Sequence, residues 1–179
     1  MKNNLGVKTF VLSTLFSIFA CPICAGGNIS NAKTAEMKVK SVRINGYAGG
    51  RIDDCINHRV MEEDVDALVE PFRHRDETWR WKSEFWGKWT LGAIATYRYT
   101  GNAELYEKIA ASVGQIIETQ SPDGYIGNYT PEAQLKEWDI WGRKYTMLGL
   151  LSWYELSGDT HALAAASRVA DHLISQLES

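Results

Sequence analysis

Two acidic residues stand at matching places in the sequence, each two positions before a Trp-Gly pair. Glu84 precedes Trp86-Gly87, and Asp139 precedes Trp141-Gly142. Carboxylates at such places accept hydrogen bonds from sugar hydroxyls, or act as the acid–base pair of glycoside hydrolysis. Their alternative role is to cap a helix and stabilise its dipole. A basic residue follows each acid four positions later, and the expected ion-pair partners are Lys88 and Arg143.

Tryptophans accompany these acids. Trp89 and Trp153 lie on apolar helix faces, where packing in the core accounts for them. Four others lie at helix starts or in loops, and these are Trp79, Trp81, Trp138 and Trp141. Flat aromatic faces beside carboxylates suit sugar rings, which have apolar C–H faces and polar rims. Aromatic packing between loops is the alternative role of these four residues.

A helical hairpin that occurs twice would position these residues. The predicted helices cover about 83–99, 103–120, 141–156 and 160–177. Gly101 and Gly158 end the first helix of each copy, 57 residues apart. That period exceeds the roughly 34 residues of a tetratricopeptide hairpin and favours a barrel of hairpins with long loops. Six such units need more than the 179 residues present, so we predict an all-α fold, an incomplete (α/α)6 barrel.

The segments outside the hairpins are assigned from turn and periodicity signals. Residues 121–129 are rich in turn formers, and a loop of about twenty residues within a compact domain is usually functional. Residues 39–44 alternate as in a short strand, 45–50 have the composition of a turn, and a helical pattern begins at Ile52. Ser83 is the expected cap of the helix that follows it.

The N-terminus has the pattern of an export signal. Lys2 and Lys8 precede an apolar run over residues 10–20, which is too short to anchor stably in a bilayer. Cleavage is expected after Ala25. In the alternative, the residues before Cys21 form a bacterial lipobox, and Cys21 carries a lipid anchor.

This pattern divides the chain into three parts: a signal peptide over 1–25, a linker over 26–41 and a helical domain over 42–179. The expected location is outside the bacterial cytoplasm, in the periplasm, on the cell surface or secreted. The formal net charge is −3 and no basic stripe is present, which argues against a nucleic-acid partner.

Cysteine and histidine spacing predicts no metal centre in this chain. The C-x-x-C of Cys21 and Cys24 lies in the leader, so Cys55 is the one cysteine of the domain, expected to be small and buried. No two histidines have metal-ligand spacing on one helix face, and exposure to solvent is the simple expectation for His172. The sequence has no phosphate-binding loop, nucleophile elbow or zinc ligand set.

Six segments occur in the order of one known family. They are Arg51-Ile52-Asp53, Asp64-Val65-Asp66, Pro71-Phe72-Arg73, Glu84 to Trp89, Gln120 to Gly127 and Trp138 to Tyr145. Together they resemble the N-terminal part of the catalytic barrel of β-L-arabinofuranosidase-like glycoside hydrolases, family 127 and its relatives. The resemblance covers residues 42–178.

The resemblance implies an (α/α)6 barrel followed by β-sandwich domains. It implies retaining hydrolysis by a zinc-bound cysteine nucleophile and a glutamate acid/base, both later in the family's sequences. No catalytic residue or zinc ligand can therefore be assigned here, and Cys55 does not match the nucleophile. Where arabinofuranosidases carry a substrate-binding histidine, this chain has Trp141. The residues expected to bind the carbohydrate substrate are Glu84, Trp86, Asp123, Tyr125, Trp138, Asp139 and Trp141.

The leading hypothesis is the N-terminal fragment of an exported glycoside hydrolase that acts on plant-type glycans and is inactive as this chain alone. Unsaturated uronyl hydrolases are one alternative, because they also use helical toroids with tryptophan-rich sites and catalytic aspartates. Under that alternative Asp139→Asn abolishes activity. A non-catalytic, secreted helical-repeat binding module is the other, and it would be monodisperse. An incomplete barrel would expose apolar helix faces and self-associate.

Overall fold

The computed structural model of the protein describes residues 42–178. The predicted leader, linker and lipidation site, and residues 39–41 of the predicted strand, lie outside them. The α-helices of the described part are α1 (Gly46–Cys55), α2 (Val65–His74), α3 (Glu84–Thr100), α4 (Ala103–Glu118), α5 (Asp139–Ser157) and α6 (Thr160–Leu177). A π-helical turn, Ile56–Met61, continues α1, and a 3-10 turn, Pro131–Ala133, lies in the loop before α5. Between residues 42 and 178, no helix is both long and apolar enough to cross a membrane.

The all-α prediction and both hairpins are confirmed. Gly101 and Gly158 adopt φ of 66° and 78°, the left-handed conformation that ends a helix. Asn102 and Asp159 cap the second helix of each hairpin through their side-chain oxygens. The first helix of the second copy is longer, 19 residues against 17, so the extra residues fall before the turn.

The prediction for the N-terminal segment is wrong in two places. Residues 45–50 belong largely to α1 rather than to a turn, and residues 42–44 form no strand. Gly49 has another purpose, because a β-carbon on it would overlap the backbone oxygen of Ile44. Gly49 therefore allows a close approach of two backbone segments, which composition alone cannot distinguish from a turn.

Two single-residue expectations are also wrong, and a third holds only in part. Ser83 occupies the N-cap position of α3 as predicted, but its side chain makes no capping hydrogen bond; it is buried, and a β-carbon on Gly142 would overlap its hydroxyl. Cys55 is exposed rather than buried. His172 is buried rather than exposed, because it lies against the loop between α4 and α5.

The two hairpins lie side by side. Helices α3 and α5 pack extensively on each other, α4 packs on α3, and α6 packs on α5. This arrangement is that of a sector of a helical barrel. The core between the helices includes Trp86, Trp89, Leu105, Ile109, Val113, Ile116, Leu150, Trp153 and Val169. Trp89 and Trp153 are core residues as predicted. Leu148 and Leu151 of α5 are exposed, and self-association through such faces stays a prediction.

Helices α3 and α5 approach closely because glycines lie at their crossing. A β-carbon on Gly87 would overlap the backbone oxygen of Tyr145, whereas one on Gly92 of the same helix would meet no atom within 4 Å. Position 87 therefore has no room for a side chain, whereas position 92 has room for one, although both glycines lie inside α3.

We predict that Gly87→Ala lowers the free energy of unfolding by roughly 1–3 kcal/mol, because the helices must separate to admit the methyl group. Gly92→Ala is the matched control and should raise the same quantity by up to about 1 kcal/mol, since alanine favours the helix. Urea unfolding followed by circular dichroism measures both. Equal effects of the two substitutions would contradict the close crossing.

Candidate functional site

A pocket of about 340 Å³ opens where the first turns of α3 and α5 meet. Its lining consists of three indoles and one ion pair, supplied by Trp81, Trp138, Trp141, Glu84 and Lys88. The start of α3 provides the acid and the base. The start of α5 and the two preceding loops provide the indoles. The two equivalent helix starts thus lie at one mouth.

Glu84 forms the polar floor of this pocket. Its carboxylate is nearly buried, and one oxygen lies 2.8 Å from the Lys88 ammonium, the ion pair predicted from their spacing. The other oxygen accepts a hydrogen bond from the Trp141 indole N–H. A buried carboxylate needs such partners, because an unpaired charge is costly to remove from water. Glu84 therefore holds the Trp141 ring at the pocket wall.

Exposed indoles form the walls. Trp81, Trp138 and Trp141 keep 46%, 43% and 38% of their surface exposed. Trp81 and Trp138 meet edge to face with ring centroids 5.9 Å apart, and Trp138 meets Trp141 in the same way at 6.3 Å. The Lys144 ammonium lies 4.2 Å from the Trp141 centroid. The pocket thus presents apolar ring faces beside charged groups.

Asp139 lies beneath the pocket rather than in it. It is 1% exposed, and its Oδ2 lies 2.5 Å from Nη2 of the fully buried Arg143, which confirms the second predicted ion pair. The same oxygen accepts from the Leu135 N–H at 2.9 Å, while Oδ1 accepts from the Tyr125 hydroxyl at 2.7 Å. The carboxylate is fully engaged by the protein, so its role is to anchor the loop that precedes α5.

The 121–129 loop packs on this ion pair. Tyr125 is buried, with its ring 4.5 Å from the Arg143 guanidinium carbon. Burial, and then the charge of Asp139, raise the pKa of Tyr125, so its hydroxyl keeps the proton that it donates. Asp123 is exposed, and the Ser121 hydroxyl that donates to it lowers its pKa. Asp123 also contacts His172 at 3.2 Å, which ties the loop to α6.

The structure separates the seven predicted site residues into three groups. Glu84, Trp138 and Trp141 line the pocket. Asp123, Tyr125 and Asp139 do not line it: Tyr125 and Asp139 are buried in the scaffold, and Asp123 is exposed on the loop that packs there. Trp86 does not reach the pocket; it is fully buried, and its indole N–H donates to the Ser112 hydroxyl at 2.7 Å. Trp81 and Lys88 also line the pocket but are not among the predicted site residues. The sequence does indicate each of them: Trp81 lies in a loop beside other tryptophans, and Lys88 follows Glu84 by four positions.

The described residues do not fit a zinc–thiolate centre. Between residues 42 and 178, no three His, Cys, Asp or Glu side chains come together as a metal site. Cys55 is the one cysteine in that range, and it is exposed and free. No step through zinc is assigned to these residues.

A model of the family described as beta-L-arabinofuranosidase, GH127 catalytic domain, matches residues 34–179. The chain belongs to this family. Membership supports a glycoside hydrolase-like function and a carbohydrate substrate for this GH127 chain. Searches of curated proteins and of solved structures returned no match.

The burial of the Asp139–Arg143 pair gives a prediction for the GH127 scaffold. Asp139→Asn leaves the Arg143 charge buried without its partner, so the free energy of unfolding should fall by about 3–5 kcal/mol. Asp66→Asn is the matched control, because Asp66 pairs with Arg73 on the surface and should lose no more than about 1 kcal/mol. Urea denaturation measures both. An Asp139→Asn variant as stable as the control would refute the anchoring role.

Proposed function

We propose that this chain supplies the N-terminal, sugar-binding part of an exported, β-L-arabinofuranosidase-like glycoside hydrolase acting on plant-type glycans. Its family membership supports the glycosidase class. The sequence pattern of residues 1–25 is the basis for export. The pocket at the starts of α3 and α5 is the proposed binding site.

The observation that carries this proposal is the group of three exposed indoles around the Glu84–Lys88 ion pair. Apolar C–H faces of a sugar ring pack on indole faces, while its hydroxyls reach charged acceptors and donors at the rim. The volume of about 340 Å³ suits a small carbohydrate unit. Lys88 is part-exposed and can donate to a ligand hydroxyl without breaking its contact with Glu84.

Both oxygens of each acid already have partners within the protein, which supports a binding role for this part of the chain rather than a catalytic one. Glu84 has one oxygen on Lys88 and the other on Trp141. Asp139 is enclosed by Arg143, Tyr125 and Leu135. Neither acid is placed as a free proton donor at the pocket. We therefore propose that the groups that break the glycosidic bond come from outside residues 42–178.

The burial of Asp139 also weighs against the uronyl-hydrolase alternative. That alternative needs Asp139 as a catalytic acid within reach of the substrate. Its position under the loop makes it a scaffold residue instead. The arabinofuranosidase-like assignment does not depend on Asp139 touching the sugar.

We expect saturable binding when the 179-residue chain is titrated with methyl β-L-arabinofuranoside and tryptophan fluorescence is recorded. Trp138→Ala should weaken binding roughly tenfold, since it removes one wall of the pocket. Trp79→Ala is the matched control, because Trp79 is also an exposed loop tryptophan, at 55% against 43% for Trp138, but does not line the pocket, and it should leave the Kd unchanged. An equal loss in both variants, or no binding by the wild-type chain, would contradict the proposed site.

We also expect no hydrolysis of 4-nitrophenyl β-L-arabinofuranoside by the purified chain, with or without added zinc. The release of nitrophenolate is measured against a blank without protein. Zinc-dependent turnover by the purified chain would overturn the proposal that catalytic groups lie elsewhere. The Glu84→Gln variant tests whether any turnover belongs to this pocket.

A further inference from the structure

The hydroxyl of Tyr129 joins the two loops that carry two neighbouring walls of the pocket, Trp81 and Trp138. Tyr129 is fully buried. Its hydroxyl donates to the backbone oxygen of Arg80 at 3.0 Å and accepts from the backbone N–H of Trp138 at 3.3 Å. Arg80 directly precedes Trp81, so one phenol oxygen links the backbone on both sides of the Trp81–Trp138 contact.

Backbone hydrogen bonds fix the position of Tyr129 itself. The Glu77 N–H donates to the Asn128 oxygen, and the Thr130 N–H donates to the Glu77 oxygen, both at 3.0 Å. These bonds lie on either side of Tyr129 and form the parallel bridge between Glu77 and Tyr129. The N–H of Tyr129 donates to the Tyr125 hydroxyl at 3.0 Å. Tyr129 is therefore held by the loop before α3 and by the tyrosine that contacts Asp139.

The segment that delivers Trp138 needs such a restraint. Leu135 and Glu137 have φ of 65° and 47°, a left-handed conformation that residues other than glycine seldom adopt. Conformations of this kind persist only when the surrounding structure fixes them. The Asp139 carboxylate restrains Leu135 by accepting from the Leu135 backbone N–H. The Tyr129 hydroxyl restrains Trp138 by accepting from the Trp138 backbone N–H.

Burial also keeps the Tyr129 hydroxyl in its donor state. It raises the pKa of Tyr129, so the phenol stays protonated at neutral pH. The proton is needed because the partner at Arg80 is a carbonyl, which only accepts.

We infer that Tyr129 is a positioning residue for this pocket: its hydroxyl sets the separation and the edge-to-face geometry of Trp81 and Trp138. The consequence for ligand affinity rests on the sugar-binding function proposed above. The consequence for indole geometry does not, since it exists in the unliganded protein.

Tyr129→Phe in the 179-residue chain tests this inference, because it removes only the oxygen. The first readout is the exciton couplet in circular dichroism that two indoles in close contact produce, assigned to this pair by its loss in Trp81→Phe. The second is the Kd for methyl β-L-arabinofuranoside. Tyr106→Phe is the matched control, because the Tyr106 ring packs on Trp153 and its hydroxyl has no hydrogen-bond partner in the described part of the chain.

We expect Tyr129→Phe to keep a cooperative unfolding transition, to lose at least half of the couplet and to bind the sugar about tenfold more weakly, with Tyr106→Phe unchanged. A couplet that keeps its wild-type amplitude overturns the positioning role, whatever the affinity. A reduced couplet with unchanged affinity overturns its importance for binding. A reduced couplet in a protein whose wild type binds no sugar upholds the positioning role and refutes the proposed function.

Discussion

The rest of the site depends on the buried ion pair between Asp139 and Arg143. Two charges can be removed from water in this way only if they are paired and their remaining hydrogen-bonding groups find partners. Asp139 meets this condition through the Tyr125 hydroxyl and the Leu135 N–H. Arg143 meets it in part: its Nη1 donates to Gln176 and its guanidinium lies over the Tyr125 ring, while its Nε is buried with no hydrogen-bond partner between residues 42 and 178. The pair thereby joins α5, α6 and the two halves of the loop between α4 and α5.

Two equivalent positions of the repeat have taken different roles. Glu84 and Asp139 both begin a helix, and both form an ion pair with the residue four positions later. The loop before α5 folds back over that helix start and encloses Asp139. Glu84 has no such cover, so it lies at the pocket with Lys88. A repeated sequence pattern has in this way produced one pocket-lining residue and one anchor.

The sequence predicts local features of this chain well and contacts between distant segments poorly. The hairpins, the left-handed Gly101 and Gly158 and the two ion pairs depend on residues within one or two turns of each other, so spacing alone identifies them. The burial of Asp139 and the core position of Trp86 depend on what packs against them. The composition of residues 45–50 predicts a turn, but glycine is also required where two backbone segments approach closely, as at Gly49. The link from Tyr129 to Arg80 spans 49 residues, and no local pattern marks it.

We propose that the three indoles at the starts of α3 and α5 form a carbohydrate site. The most direct measurement is a titration of the 15N-labelled chain with methyl β-L-arabinofuranoside, following the seven indole N–H resonances assigned with Trp→Phe variants. We expect saturable shifts for Trp81, Trp138 and Trp141, with the resonances of Trp79 and the buried Trp86 unmoved. Shifts confined to Trp79, or no shift at any indole, would contradict the proposed site.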